Sequence, residues 1–181
     1  MPKVENRKSK IIKRALLKLN EPFEDDYLEE DSSYKTANFL LDGLLENMLS
    51  LATFYFNLKP AILSQSTLSS ENKYIYNKPK DYLGLFQSNH PVNEIGDKFY
   101  CDYPNLEITY KAKLDISELP LQAENYLVLN LAYELAGPIN KEEMTNKIFR
   151  EMELEKNKLE ALGGPTTCDP YSEYNNKRGL F

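Results

Sequence analysis

Histidine occurs once in this chain, at His90, and tryptophan does not occur at all. One imidazole, set before Pro91 in a turn-like stretch, leaves little material for a Ser-His-Asp triad or a histidine-based metal site. It reads as an exposed loop residue. No glycine-rich phosphate loop is present. The two cysteines, Cys101 and Cys168, stand far apart in neither metal nor redox spacing. They read as free thiols of a reducing compartment. No apolar run reaches the ~18 residues of a membrane span. The N-terminus lacks the apolar core of a signal peptide, so the expectation is a protein made in the cytoplasm that does not enter a membrane. The net charge of −6 argues against strong general binding to nucleic acid. Acid pairs of the kind a glycosidase uses would have to come from residues 21–31 or from the outer face of the last helix. Solvation is their ordinary role in both places. The expectation is no enzyme, no cofactor and no metal.

What is present fits an ordinary folded chain. Hydrophobic residues make up 41% and charged residues 28% of the 181 positions. That length should bury roughly 70% of the unfolded surface, in one domain or one domain with an insertion. Tyr, Asn and Lys are plentiful, a bias that AT-rich coding sequence produces by itself.

The spacing of apolar residues predicts helices over 3–19, 32–58, 121–137 and 140–162. The first is basic and amphipathic: Ile11, Ile12, Ala15, Leu16 and Leu19 share one face, and Lys3, Arg7, Lys8, Lys10, Lys13, Arg14 and Lys18 the rest. An acidic stretch follows at once, with Glu24, Asp25 and Asp26 at its centre. The two can pair within one molecule or head-to-tail between copies. Asp31 or Ser32 caps the second helix, whose wide stripe runs Ala37, Leu40, Leu41, Leu44, Leu45, Met48, Leu51, Ala52, Tyr55. The third helix is apolar almost all round and should be the centre of a bundle. Gly137 suits its C′ position, and Asn140 with Glu143 suggests a capping box for the fourth. That fourth helix carries a narrow stripe: Met144, Ile148, Met152, Leu159, Leu162.

Residues 59–72 are polar and without period, and read as a loop. From 73 to 114, short aromatic and β-branched runs (Tyr74–Tyr76, Tyr82–Phe86, Phe99–Tyr103, Leu106–Tyr110) alternate with turn residues such as Gly96-Asp97 and Pro104-Asn105. They predict a small antiparallel β-insertion. Residues 163–181 have no period and scattered anchors, Tyr171, Tyr174, Leu180 and Phe181. They read as an extended arm without a core of its own. The expected fold class is therefore α+β: a mainly α-helical bundle of about four helices, with a small antiparallel β-insertion between helices two and three and an extended C-terminal arm. Residues 1–162 form one domain and 163–181 the arm.

Several stretches resemble one family. Arg14-Ala15-Leu16-Leu17 with Asn20-Glu21-Pro22-Phe23 is similar to its opening helix and Gly-Glu-Pro turn, with Asn20 where glycine is usual. Ala37–Leu51 followed by Phe54-Tyr55-Phe56-Asn57 resembles its long helix ending in Trp-x-Phe-Asn. Tyr74-Ile75-Tyr76 and Pro79-x-Asp81 resemble its Tyr-x-Leu-Pro-x-Asp strand. Ile95-Gly96, Leu106–Tyr110 and Leu119-Pro120 resemble its later strands and the start of helix three. Leu131-Ala132, Leu135-Ala136 and Pro138-Ile139 resemble that helix and its corner. The family is that of the head-to-tail adaptors of short-tailed phages, also called tail tubular protein A or ring proteins, and the Lys/Asn-rich style is similar to crAss-like phages.

The resemblance implies a structural virion protein at the head–tail junction: a ring, usually of twelve copies, that joins the portal protein to a downstream tail or nozzle protein. Genomic DNA passes through its lumen without specific binding. It also implies a portal contact for the arm, with Tyr171, Tyr174, Arg178, Leu180 and Phe181 as anchors. Lys10, Lys13 and Arg14 on one side and Glu24, Asp25 and Asp26 on the other are the candidate ring contacts. Two alternatives stay open from the residues. One is a nucleic-acid-binding module using Lys8, Lys10 and Arg14 of the basic first helix. The other is a peptidoglycan-cleaving virion protein.

Overall fold

In a computed structural model of the chain, the described residues are 6–21, 31–51, 54–68 and 73–162. They run α1 (Arg7–Lys18), α2 (Ser32–Leu51), β1 (Leu58–Leu63), β2 (Gln65–Leu68), β3 (Tyr74–Asn77), β4 (Tyr82–Ser88), β5 (Asn93–Ile95), β6 (Lys98–Cys101), β7 (Leu106–Ala112), α3 (Leu121–Ala136) and α4 (Thr145–Leu162). They fall into two compact units. One lies within Met1–Ala52 and Leu114–Gly163, and the other contains Thr53–Lys113.

In the helical unit, α3 packs against α1, α2 and α4. Its apolar run accounts for this: Ala123, Leu127, Val128, Leu131, Ala132, Leu135 and Ala136 are all buried. The α1 stripe Ile11, Ile12, Ala15, Leu16 and Leu19 is wholly buried too. Asp31 is the N-cap of α2, its Oδ1 accepting from the Tyr34 amide at 2.9 Å.

Two helix ends share a device that the sequence hides. After α1, the Glu21 amide donates to Leu16 O and the Asn20 amide to Leu17 O, both at 3.1 Å, and Asn20 has φ 52°. After α3, the Lys141 amide donates to Ala136 O at 2.7 Å and the Asn140 amide to Gly137 O at 3.0 Å, and Asn140 has φ 55°. Both are Schellman turns with asparagine in the left-handed position that glycine usually takes. Gly137 is right-handed at φ −65°. The expected assignment of C′ to Gly137 and of a helix N-cap to Asn140 is thus corrected, and α4 starts at Thr145, after a short 3-10 turn over Glu142–Met144.

The β unit overturns the expected fold class. A mainly helical bundle with a small insertion is not what forms. The described residues hold two antiparallel sheets, one of three strands in the order β1-β7-β4 and one of four in the order β2-β3-β6-β5. The second helix stops at Leu51 and not at 58, and the stretch 59–72, read as a loop, supplies most of β1 and β2. Strand β1 pairs with β7 from Leu58↔Lys111 to Leu63↔Leu106. Pro60 in this strand donates no hydrogen bond, which suits a strand at a sheet edge. Strand β7 alternates strictly, with Leu106, Ile108, Tyr110 and Ala112 buried. With Tyr76, Phe99 and Cys101 of the other sheet they form one core. Gly96, φ 58°, makes the tight β5–β6 turn.

Asn140→Gly should leave thermal stability equal or raised. Asn140→Val should lower it by about 1–2 kcal/mol, because a β-branched residue pays the full left-handed penalty. Thermal unfolding followed by circular dichroism distinguishes the two; equal midpoints for both variants would contradict the assignment.

Candidate functional site

The basic face of α1 is the strongest functional signal in the chain, and the helical unit answers it with carboxylates from each of its other helices. Glu124 of α3 is buried, 5% exposed. Its Oε2 accepts from Arg7 Nε at 2.8 Å and its Oε1 from Arg14 Nη1 at 2.6 Å. Arg7 also donates to the carbonyls of Ser117 at 2.6 Å and Leu119 at 2.7 Å. Arg14 Nη2 reaches Asn125 Oδ1 at 2.5 Å. Arg7 and Arg14 lie two turns apart on one face of α1, so one carboxylate can bridge both. Elsewhere Lys8 Nζ pairs with Asp42 of α2 at 2.9 Å, and Lys18 Nζ with Glu151 of α4 at 2.6 Å. Helix α1 is a basic strap neutralised from three sides.

Beside this strap lies a groove of about 280 Å³ between α1, α3 and α4. Val128 and Leu129 of α3 lie at its base, both buried. Arg14 and Lys18 line it from α1; Glu151, Leu154, Glu155 and Lys158 line it from α4. Leu154 is 61% exposed. Leu121, one turn before Asn125 on the same face of α3, is exposed as well.

The β unit carries two Lys–carboxylate–Tyr clusters. Asp81 accepts from Lys59 Nζ at 2.8 Å and from Tyr110 OH at 2.9 Å. Glu94 accepts from Lys78 Nζ at 2.8 Å and from Tyr82 OH at 2.7 Å. Lys78 Nζ also sits 4.8 Å from the Tyr82 ring centroid. Burial pushes the Asp81 carboxyl up, but hydrogen bonds from Lys59 and Tyr110 and the charge of Lys59 outweigh it, so Asp81 ends below its usual range. Glu94 follows the same pattern with Lys78 and Tyr82. Burial, then the hydrogen bond to Asp81 and its charge, push Tyr110 up to about 12. Burial and Glu94 raise Tyr82 likewise. Both tyrosines are neutral donors at neutral pH. The clusters tie strands together, and nothing in them approaches a nucleophile–base pair.

Of the candidate ring contacts, Lys10 is exposed and Lys13 half-buried, while Arg14 is engaged with Glu124 and Asn125. Glu24, Asp25, Asp26, Tyr171, Tyr174, Arg178, Leu180 and Phe181 lie outside the described residues. His90 stacks on Tyr103 with centroids 4.0 Å apart. Cys101 is a buried free thiol. Among the described residues no group of three His, Cys, Asp or Glu side chains is placed to hold a metal ion, and no helix is long and apolar enough to cross a membrane. Glu124 escapes a sequence reading built on stripes. Its signal is a carboxylate in the apolar run Leu121–Ala136, one of two with Glu134, which needs a cation if it is buried.

No protein-family model matches the chain, and no curated protein matches it.

Glu124→Ala should cost about 3 kcal/mol. It strips both guanidinium groups of a buried partner, and their partial exposure keeps the loss at the low end for such a change. Chemical denaturation measures it, and a loss below ~1 kcal/mol would reduce the cluster to a surface ion pair. The β unit should also have an acid limit. Asp81 and Glu94 have depressed folded-state pKa values, so their stabilisation is present above the unfolded values of about 3.9 and 4.3 and is lost as pH falls through the folded values. The thermal midpoint should drop below about pH 4, and the double variant Asp81→Asn/Glu94→Gln should flatten that drop while lowering the midpoint at neutral pH.

Proposed function

We propose that the protein is a structural adaptor that acts by assembly and without turnover. Copies pack into a ring, of twelve in the usual form of the family it resembles, at the head–tail junction of a virion. The ring joins a portal protein to a downstream tail or nozzle protein and extends the channel through which DNA is retained and ejected. The supporting observation is apolar surface left open on α2. Phe39 and Leu51 are 84% and 83% exposed, and Leu40 and Leu44 are only half-buried. With Gly43, these side chains fall within an arc of about 140° at ~100° per residue. Phe39, Leu40 and Leu44 are neighbours on that face, with Asn47 and Ser50 between them and Leu51, and grouped exposed apolar side chains mark a protein contact where single ones would not. In the β unit, Ile62 on the edge strand β1 stands 79% exposed.

Two further features favour a scaffold over a nucleic-acid-binding module. Arg7, Lys8, Arg14 and Lys18 all have carboxylate partners within their own unit, so α1 offers phosphates less charge than its sequence suggests. The net charge of −6 suits a lumen through which DNA slides without being held.

Electron microscopy of portal-bearing particles incubated with the protein should show a ring of added density below the portal. A bare portal would overturn the adaptor reading. Deleting residues 163–181, with Tyr171, Tyr174, Arg178, Leu180 and Phe181, should abolish docking while the circular dichroism of the remaining chain is kept. Docking unchanged by the deletion would take the arm out of the portal contact.

A further inference from the structure

We draw no further inference here: the strongest candidate, the cavity of about 490 Å³ on the three-stranded sheet where Pro60 and Ile62 of β1, Glu107 and Thr109 of β7 and Gln87 of β4 line an unpartnered face, carries nothing because nothing in the structure shows what covers it.

Discussion

A buried carboxylate dictates how the helical unit is put together. Glu124 sits in the apolar wall of α3, where an unpaired charge would be expelled or neutralised. Two guanidinium groups keep it there, and both come from α1, so α1 can dock on α3 in one register only. A shift of one residue would carry Arg7 and Arg14 off the carboxylate. It would also break the bonds from Arg7 to the carbonyls of Ser117 and Leu119. Apolar residues of equal volume can pack as tightly and as stably. What the ion cluster adds is direction, since a purely apolar contact between α1 and α3 would tolerate sliding. Once α1 is fixed, Lys8 and Lys18 fall opposite Asp42 and Glu151, and the outer ion pairs follow from the inner one.

The β unit solves the same problem with tyrosine. Tyr82 of β4 belongs to the three-stranded sheet and Glu94 of β5 to the four-stranded one. The hydrogen bond between them, at 2.7 Å, links the two sheets. The Tyr82 ring meets Phe99 edge-on at 5.4 Å and lies against Tyr110 at 5.9 Å. One side chain thus contributes apolar area to the shared core and a polar tip to its rim. Short strands, several of only three or four residues, gain order from such cross-sheet ties because their ladders are short.

The sequence made parts of this legible and hid others for identifiable reasons. Helix α3 was plain because its apolar residues continue around the cylinder. Strands β3, β4, β6 and β7 were plain because their aromatic runs end in turn residues. Strands β1 and β2 were not. Their strand character depends on pairing partners 6 to 53 residues away, and Lys59-Pro60 masks the start of β1. Asn20 and Asn140 were ambiguous because asparagine serves as a turn residue, a helix cap or a left-handed residue, and only the backbone separates these roles. The basic face of α1 was visible, but its partners were not. The acidic stretch nearest in sequence is at 21–31, whereas the acids that bind it are Asp42, Glu124 and Glu151. Proximity along the chain is a poor guide where long-range packing chooses the pairs.

The second helix shows how an apolar excess can be read as function. Its stripe, from Ala37 through Leu51, is wider than one packing face requires. The fold uses one part of it: Tyr34, Ala37, Leu41, Leu45, Met48 and Leu49 are buried. Phe39, Leu40, Leu44 and Leu51 lie on a flank that its own unit does not cover. Such a flank works against solubility in a lone chain, and burial of that area on association would offset it. The chain places Gly43 in the middle of the same flank, although glycine weakens a helix by about 1 kcal/mol relative to alanine. A gap beside a protruding ring makes sense if another surface must come close there. On the proposed assembly, the cost in helix stability and the open apolar area would have a common cause, a partner pressed against α2.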